Sequence, residues 1–323
     1  MGIEIKQTGK ALPKMVLTNK DLENLVETDN QWIVDRTGIE NRHVAIEETN
    51  LDLASAAALL ALGDVDPDTI NLVIFSTITP DRLVPSMGSL LKMRLGLTNA
   101  IAFDLNAACS GFIFAAWTAE ALMKQNNFKR ALIIGSECLS KITNWEDRST
   151  CILFGDGAGA SLLENNPDSP GILSSYIKNY DDPKDVLPCG MEFRKRPFDK
   201  VDGETLDPMY LSMKGQQVFK FAVNALDEVM KETINRANLT YDDIAFFVPH
   251  QANMRIIKSA AQKTKQPIEK FQISIKDTGN VSSASVPMAL YDLMETGKVK
   301  KGDKIMLMGF GGGLSAGALV FVV

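Results

Sequence analysis

The second half of this chain repeats the pattern of the first, and few folds satisfy that. INLVIFS (70–76) is answered by IAFFVPH (244–250), and AIAFDL (100–105) by FQISI (271–275). ALIIGSE (131–137) is answered by KIMLMGF (304–310), and GAGASLLE (157–164) by SAGALVFVV (315–323). Each is a short apolar run bounded by breakers, the pattern of a buried strand. Helical patterns lie between them, FIFAAWTAEALMK (112–124) in one half and GQQVFKFAVNALDEVMKETINRA (215–237) in the other. Strands and helices alternating in two matched sets predict an α/β protein.

The repeat also predicts where ligands sit. Cys109 stands 14 residues before Met123, and Asn280 stands 14 before Met294, each Met near the end of a helical pattern. That register puts Cys109 and Asn280 at matching strand-to-helix junctions, with His250 matching Ser76. Two similar halves about a pseudo-twofold axis bring such junctions together, where α/β folds hold ligands. Segment 166–215 breaks the repeat with NNPDSPG, YDDPKD, VLPCGM and KVDGETLDP. It is turn-rich and reads as a lid or pocket wall.

Composition removes several function classes. The net charge is −6, which disfavours nucleic-acid or membrane-surface binding. MGIEIKQTGKALP lacks the apolar core of a signal peptide, and Lys6 breaks the myristoylation pattern. No apolar run approaches the roughly 18 residues of a membrane span. A cytoplasmic location is expected. The four cysteines, Cys109, Cys138, Cys151 and Cys189, form no CxxC pair, so neither a zinc site nor any other metal site is expected.

Three stretches carry chemistry. In NAACSGF (106–112), Cys109 is either a small core residue or a nucleophile whose thiol is activated by a helix start. Asn106 or Ser110 could cap that start. In VPHQANMRI (248–256), His250 is either a satisfied core histidine or part of a polar cleft. In KDTGNVSSASVPMAL (276–290), Asn280 is either an N-cap or a donor to a developing oxyanion. GFGGGLSAG (309–317) lets backbone amides approach a ligand. FGDGAGA (154–160) matches GxGxxA, but an apolar strand-like run follows it, so no dinucleotide site is read there.

Together with TDNQWIVDRTGIENRH (28–43) and DRSTCILFGDGAGA (147–160), these motifs resemble the β-ketoacyl-[acyl-carrier-protein] synthase III family of the thiolase superfamily, over nearly the whole chain. The resemblance implies a thiolase-like fold: duplicated βαβαβαββ halves, 1–170 and 171–323, forming a five-layered αβαβα core. It implies decarboxylative condensation of a primer acyl-CoA with malonyl-acyl carrier protein, with no cofactor, by a cytoplasmic homodimer. Cys109 would carry the acyl group, His250 and Asn280 would hold the malonyl thioester carbonyl, and the amides of Cys109 and Gly312 would form a second oxyanion hole. Thr28, Trp32, Arg36, Arg148, Gly215, Phe219 and Asn253 would bind CoA, and Lys220 and Arg255 would meet the acyl carrier protein. His43 falls in the family's arginine-rich turn and reads as structural.

The elongating condensing enzymes use Cys-His-His, and with only His43 and His250 present that set is unavailable. Residues 77–81, TITPD, lack the glutamate of the hydroxymethylglutaryl-CoA synthase branch. Two departures stand out: Val84 where the family often has an aromatic residue before Pro-Ser, and Lys92 where it commonly has Gln. Val84 would reach the partner subunit's acyl pocket, so the primer is expected to be branched or longer than acetyl. A related condensing enzyme of secondary metabolism and a non-catalytic carrier-binding scaffold are the alternatives. A papain-like thiol hydrolase fits less well, given the CSGF context and the duplication.

Overall fold

The structure, a computed structural model, describes residues 2–190 and 210–323. KVDGETLDP, part of the expected lid, lies outside the described residues.

The first half runs through β1 (Gly2–Ala11), β2 (Met15–Thr18), α1 (Asn19–Leu22), α2 (Asn30–Thr37), β3 (Asn41–Val44), α3 (Asn50–Leu62) and β4 (Ile70–Ser76). It continues through α4 (Met87–Arg94), β5 (Ile101–Leu105), α5 (Gly111–Asn126), β6 (Arg130–Cys138), α6 (Arg148–Cys151) and β7 (Asp156–Asn166). The second half is β8 (Ile172–Asn179), α7 (Gly215–Arg236), β9 (Phe246–Pro249), α8 (Met254–Thr264), α9 (Ile275–Thr278), α10 (Ser285–Glu295), β10 (Lys304–Gly311) and β11 (Ser315–Val322).

One sheet has the order β1-β7-β6-β4-β5 and the other β8-β11-β10-β9. The orders match strand for strand except at one place. FQISI, expected as the counterpart of β5, makes only a single bridge from Phe271 to Phe247 and then enters α9. The two rings stack at 4.6 Å, so side-chain packing holds this edge where a ladder was expected.

The strands are apolar on both faces because both faces are covered. On β4, Leu72 and Ile74 join a central core with Phe112 and Ile113 of α5, while Val73 and Phe75 join an outer core with Leu53 and Ala57 of α3. On β10, Leu307 faces the centre, and Met306 and Met308 face Leu226 and Val229 of α7. The layers are therefore α3 and α4, the first sheet, α5 and α10, the second sheet, and α7 and α8. This is the five-layered αβαβα core of the thiolase-like fold.

One expectation is corrected. Ala108 (φ 45°) and Ser282 (φ 44°) share the same left-handed backbone, each inside a 3-10 turn leading into α5 or α10. In each turn an asparagine accepts from the amide two residues on: Asn106 from Ala108 at 3.2 Å, Asn280 from Ser282 at 2.9 Å. Asn280 thus matches Asn106, and Cys109 matches Ser283. Counting back from the helix ends misled because α5 has 16 residues and α10 only 11. The other pairing agrees with expectation. Ser76 pairs with Gly135 and Pro249 with Met308, which sets His250 beside Gly309, the counterpart of Gly135.

Candidate active site

Cys109 sits where β5 turns into α5, against the end of β10. That contact depends on glycine: a side chain at Gly311 would come within 2.6 Å of the Cys109 amide nitrogen, and one at Gly111 within 1.9 Å of Ser76 Oγ. Ser110 Oγ and Ser315 Oγ, 2.7 Å apart, pin the turn to β11.

The thiol differs from expectation. A helix start lowers a thiol pKa, yet burial dominates here and pushes Cys109 up to about 12. The Ser282 hydroxyl opposes that rise and the Glu137 carboxylate adds to it. The resting residue is therefore a thiol near neutral pH.

His250 continues from β9, its amide donating to Met308 O at 2.7 Å. Its ring meets Phe310 edge-on at 5.2 Å. Burial pushes its pKa down to about 3, so the imidazole is neutral at pH 7. Nδ1 has no hydrogen-bond partner among the described residues. A neutral imidazole offers one N–H donor to a substrate oxygen.

Asn280 is held through its backbone. Its amide donates to Leu153 O at 2.8 Å, and its carbonyl accepts from Gly155 N at 3.0 Å. Gly279 (φ 64°) makes the approach possible, since a side chain there would lie 2.9 Å from Leu153 O. Oδ1 is occupied by the Ser282 amide. Nδ2 has no partner among the described residues and is left for a ligand.

Cys109, His250, Asn280 and Gly312 line one cavity of about 1510 Å³. Trp32, Arg36, Gly215, Phe219, Asn253 and Arg255 line it too. At its mouth, Arg36 Cζ lies 4.1 Å and Arg148 Cζ 4.7 Å from the Trp32 ring centroid. Arg148 is outside the lining but donates to Glu27 O at 2.8 Å, beside Thr28, whose buried Oγ1 has no partner among the described residues. Asn253 is committed to α2: Nδ2 donates to Arg36 O at 3.0 Å, while Oδ1 accepts from the Arg255 amide. Arg255 Nη2 donates to Asp35 O at 2.8 Å.

Lys220 is exposed next to Phe219 and stands outside the cavity. Val84 is 84 % exposed and also outside it. His43 is tied by Nδ1 to Pro13 O at 2.6 Å, away from the cavity. Cys189 does line the cavity.

Sequence reasoning missed Arg82 and Lys141, two cations in the lining, and Ser282, which lines the cavity with Asn280 and Cys109. It also missed Glu137. This fully buried carboxylate accepts from Thr79 Oγ1 and Ser283 Oγ at 2.7 Å, and from Ile78 N and Thr77 Oγ1 at 3.0 Å. A glutamate closing an apolar strand is the only signal that could have found it. Among the described residues, no cluster of His, Cys, Asp or Glu could hold a metal ion, and no helix is long and apolar enough to cross a membrane.

Two family models match the chain. "3-Oxoacyl-[acyl-carrier-protein (ACP)] synthase III" covers residues 103–180, and the C-terminal model of the same family covers 234–323. The β-ketoacyl-[acyl-carrier-protein] synthase III of Clostridium beijerinckii is 43% identical over 318 residues, 98% of each chain. The crystal structure of 3-oxoacyl-[acyl-carrier-protein] synthase III from Aquifex aeolicus superposes with a TM-score of 0.93 at 40% identity, covering 100% of both chains. The priming β-ketosynthase from the R1128 polyketide biosynthetic pathway superposes with a TM-score of 0.92 at 32% identity, over 100% of this chain and 96% of that one.

Proposed function

The chain belongs to the β-ketoacyl-[acyl-carrier-protein] synthase III family, acyltransferases that start fatty-acid synthesis, and from that premise we propose how its residues do so. The observation that carries the reading is the meeting of Cys109, His250 and Asn280 around one cavity.

The Cys109 sulfur attacks the thioester carbonyl of a primer acyl-CoA. An S–C bond forms, the CoA sulfur leaves, and it takes up the proton that the Cys109 thiol gives up. The oxyanion of this step is met by the backbone amides of Cys109 and Gly312. Malonyl-acyl carrier protein then enters. His250 and Asn280 Nδ2 donate to its thioester carbonyl, and the C–CO2 bond breaks. The electron pair stays on the resulting enolate, whose carbon attacks the acyl carbon. The Cys109 C–S bond breaks, and the sulfur regains a proton from solvent. A neutral His250 suits this work, since it stabilises charge without having to take up a proton. Splitting one condensation into two transfers gives ping-pong kinetics.

Around this centre we assign the CoA nucleotide to Thr28, Trp32, Arg36 and Arg148. Its pantetheine arm runs past Gly215, Phe219 and Asn253, and the carrier protein lies against Lys220 and Arg255. Acyl-CoA and malonyl-acyl carrier protein are the only small-molecule and protein substrates required, with no cofactor, in the cytoplasm. The chain reads as two units, 1–170 and 171–323. We also assign a homodimer. The support is the open edge strand β5, with Ile101 58% exposed, and the exposed Leu83 and Val84 just ahead of α4, which packs on β5. A protruding Val84 would close the partner's acyl pocket with a small side chain, leaving room for a branched or longer primer.

Intact-protein mass spectrometry tests this. The wild type, incubated with acetyl-, isobutyryl- and hexanoyl-CoA, should gain one acyl mass that malonyl-acyl carrier protein discharges and that Cys109→Ser lacks. An adduct discharged only by some other acceptor would favour a priming enzyme of secondary metabolism. A strict acetyl preference would overturn the role given to Val84.

A further inference from the structure

Ser282 has no role in the assignment above, yet its placement is costly. It is 1% exposed and lines the cavity. Its φ of 44° lies in the left-handed region that non-glycine residues seldom adopt. Its amide donates to Asn280 Oδ1 at 2.9 Å. Its Oγ is buried and has no partner within hydrogen-bond distance among the described residues. The other serines of this turn spend their hydroxyls on the fold. Ser283 Oγ donates to Glu137 at 2.7 Å, with Ser76 O also in reach at 3.0 Å, and Ser285 Oγ accepts from the Val281 amide. A buried hydroxyl without a partner is expensive and is a reason to look for a partner that appears only during turnover.

We infer that Ser282 is a further catalytic residue, whose backbone amide fixes the Asn280 side chain and whose hydroxyl donates a hydrogen bond to the Cys109 sulfur whenever that sulfur carries negative charge. This rests on the reading of Cys109 as the nucleophile. The sulfur is charged twice in the cycle, when it attacks acyl-CoA and when the enolate displaces it. Both events occur in a buried site that disfavours a thiolate. The Ser282 hydroxyl is the side chain that counters this effect of burial on the thiol. Ser282 keeps its own proton throughout. Of the titratable groups around the sulfur, Glu137 raises the thiol pKa, and His250, which lines the same cavity, is neutral at pH 7. Neither supplies what the serine supplies.

The test compares wild type, Ser282→Ala and Ser282→Gly, with Cys109→Ser as the control for labelling. Ser282→Gly removes the hydroxyl but suits the left-handed backbone, so it should fold even if the alanine variant is strained. Thiol alkylation by iodoacetamide is followed from pH 6 to 10, and the two half-reactions are timed by mass spectrometry. Both variants should be alkylated roughly tenfold to a hundredfold more slowly at a given pH. Both half-reactions should slow to a similar degree, with KM for malonyl-acyl carrier protein unchanged, as expected for a lost hydrogen bond to a charged group. Wild-type rates in either variant would overturn the proposal. So would a defect in Ser282→Ala that Ser282→Gly repairs, since that would point to backbone strain. A wild type that forms no acyl adduct would sink the nucleophile reading itself, a distinguishable failure.

Discussion

The turns at 106–110 and 280–284 have the same backbone and opposite fates. In the first, Asn106 is exposed at the edge of the cavity with its Oδ1 tying down the turn, while Cys109 is the buried residue that faces the same cavity. In the second, Asn280 faces the cavity, while Ser283 points away into the first sheet and donates to Glu137. The strands beneath explain the difference. Glu137 on β6 stands where Gly311 stands on β10. At Gly311 the missing side chain opens the space beside Cys109; at Glu137 a carboxylate with its ring of donors fills the equivalent space. Duplication made two candidate sites, and one glycine against one glutamate decides which is open.

That comparison can be broken in graded ways. Replacing the proposed nucleophile has the largest expected effect: Cys109→Ala should abolish the acyl adduct in intact-mass spectra, yet leave His250 and Asn280 able to decarboxylate malonyl-acyl carrier protein, read as CO2 release. Next come the twin asparagines. Asn280→Ala should lower condensation by about 10²–10³-fold, the usual cost of one oxyanion donor. Asn106→Ala should cost only its turn hydrogen bond, about 1 kcal/mol in urea unfolding. Equal activity losses at the two positions would refute the division of labour.

Filling the closed site with the wrong chemistry is the third test. Glu137→Leu removes the acceptor that four donors share and should lower unfolding stability by about 3 kcal/mol. Burial holds the Glu137 carboxyl above its ordinary 4.5, with its hydrogen bonds opposing. Its stabilising contribution is therefore complete below pH 4.5 and is lost as pH rises through the raised value. The stability of the wild type relative to Glu137→Gln should fall across that window, and denaturant titrations at several pH values would read it. The smallest effect belongs to the shared strain: Ala108→Gly should raise stability by about 1 kcal/mol, since glycine tolerates positive φ.

Much of this was legible in advance. Buried parallel strands announce themselves as unbroken apolar runs, so β4, β6 and β10 fell where the sequence put them, and the long amphipathic α7 did too. The convergence of Cys109, His250 and Asn280 followed from the duplication. The register between halves did not, because helix ends drift while turns are fixed. NAACSG and NVSSAS align asparagine to asparagine, and that local match was the better guide. The state of the thiol was illegible for another reason. A helix start is visible in sequence, but the depth at which it lies is a property of five packed layers. Glu137 and Ser282 escaped likewise, because each gets its meaning from a neighbour in the other half.

The middle layer carries a lesson for anyone who would cut the gene. Both α5 and α10 pack on strands of both sheets, so each half lends a helix to the other's core. A break near codon 170 would leave two polypeptides, each with a greasy helix missing its second wall. They should be insoluble apart and fold only when made together. The descendants of the duplication have become obligate lodgers in one another's interiors.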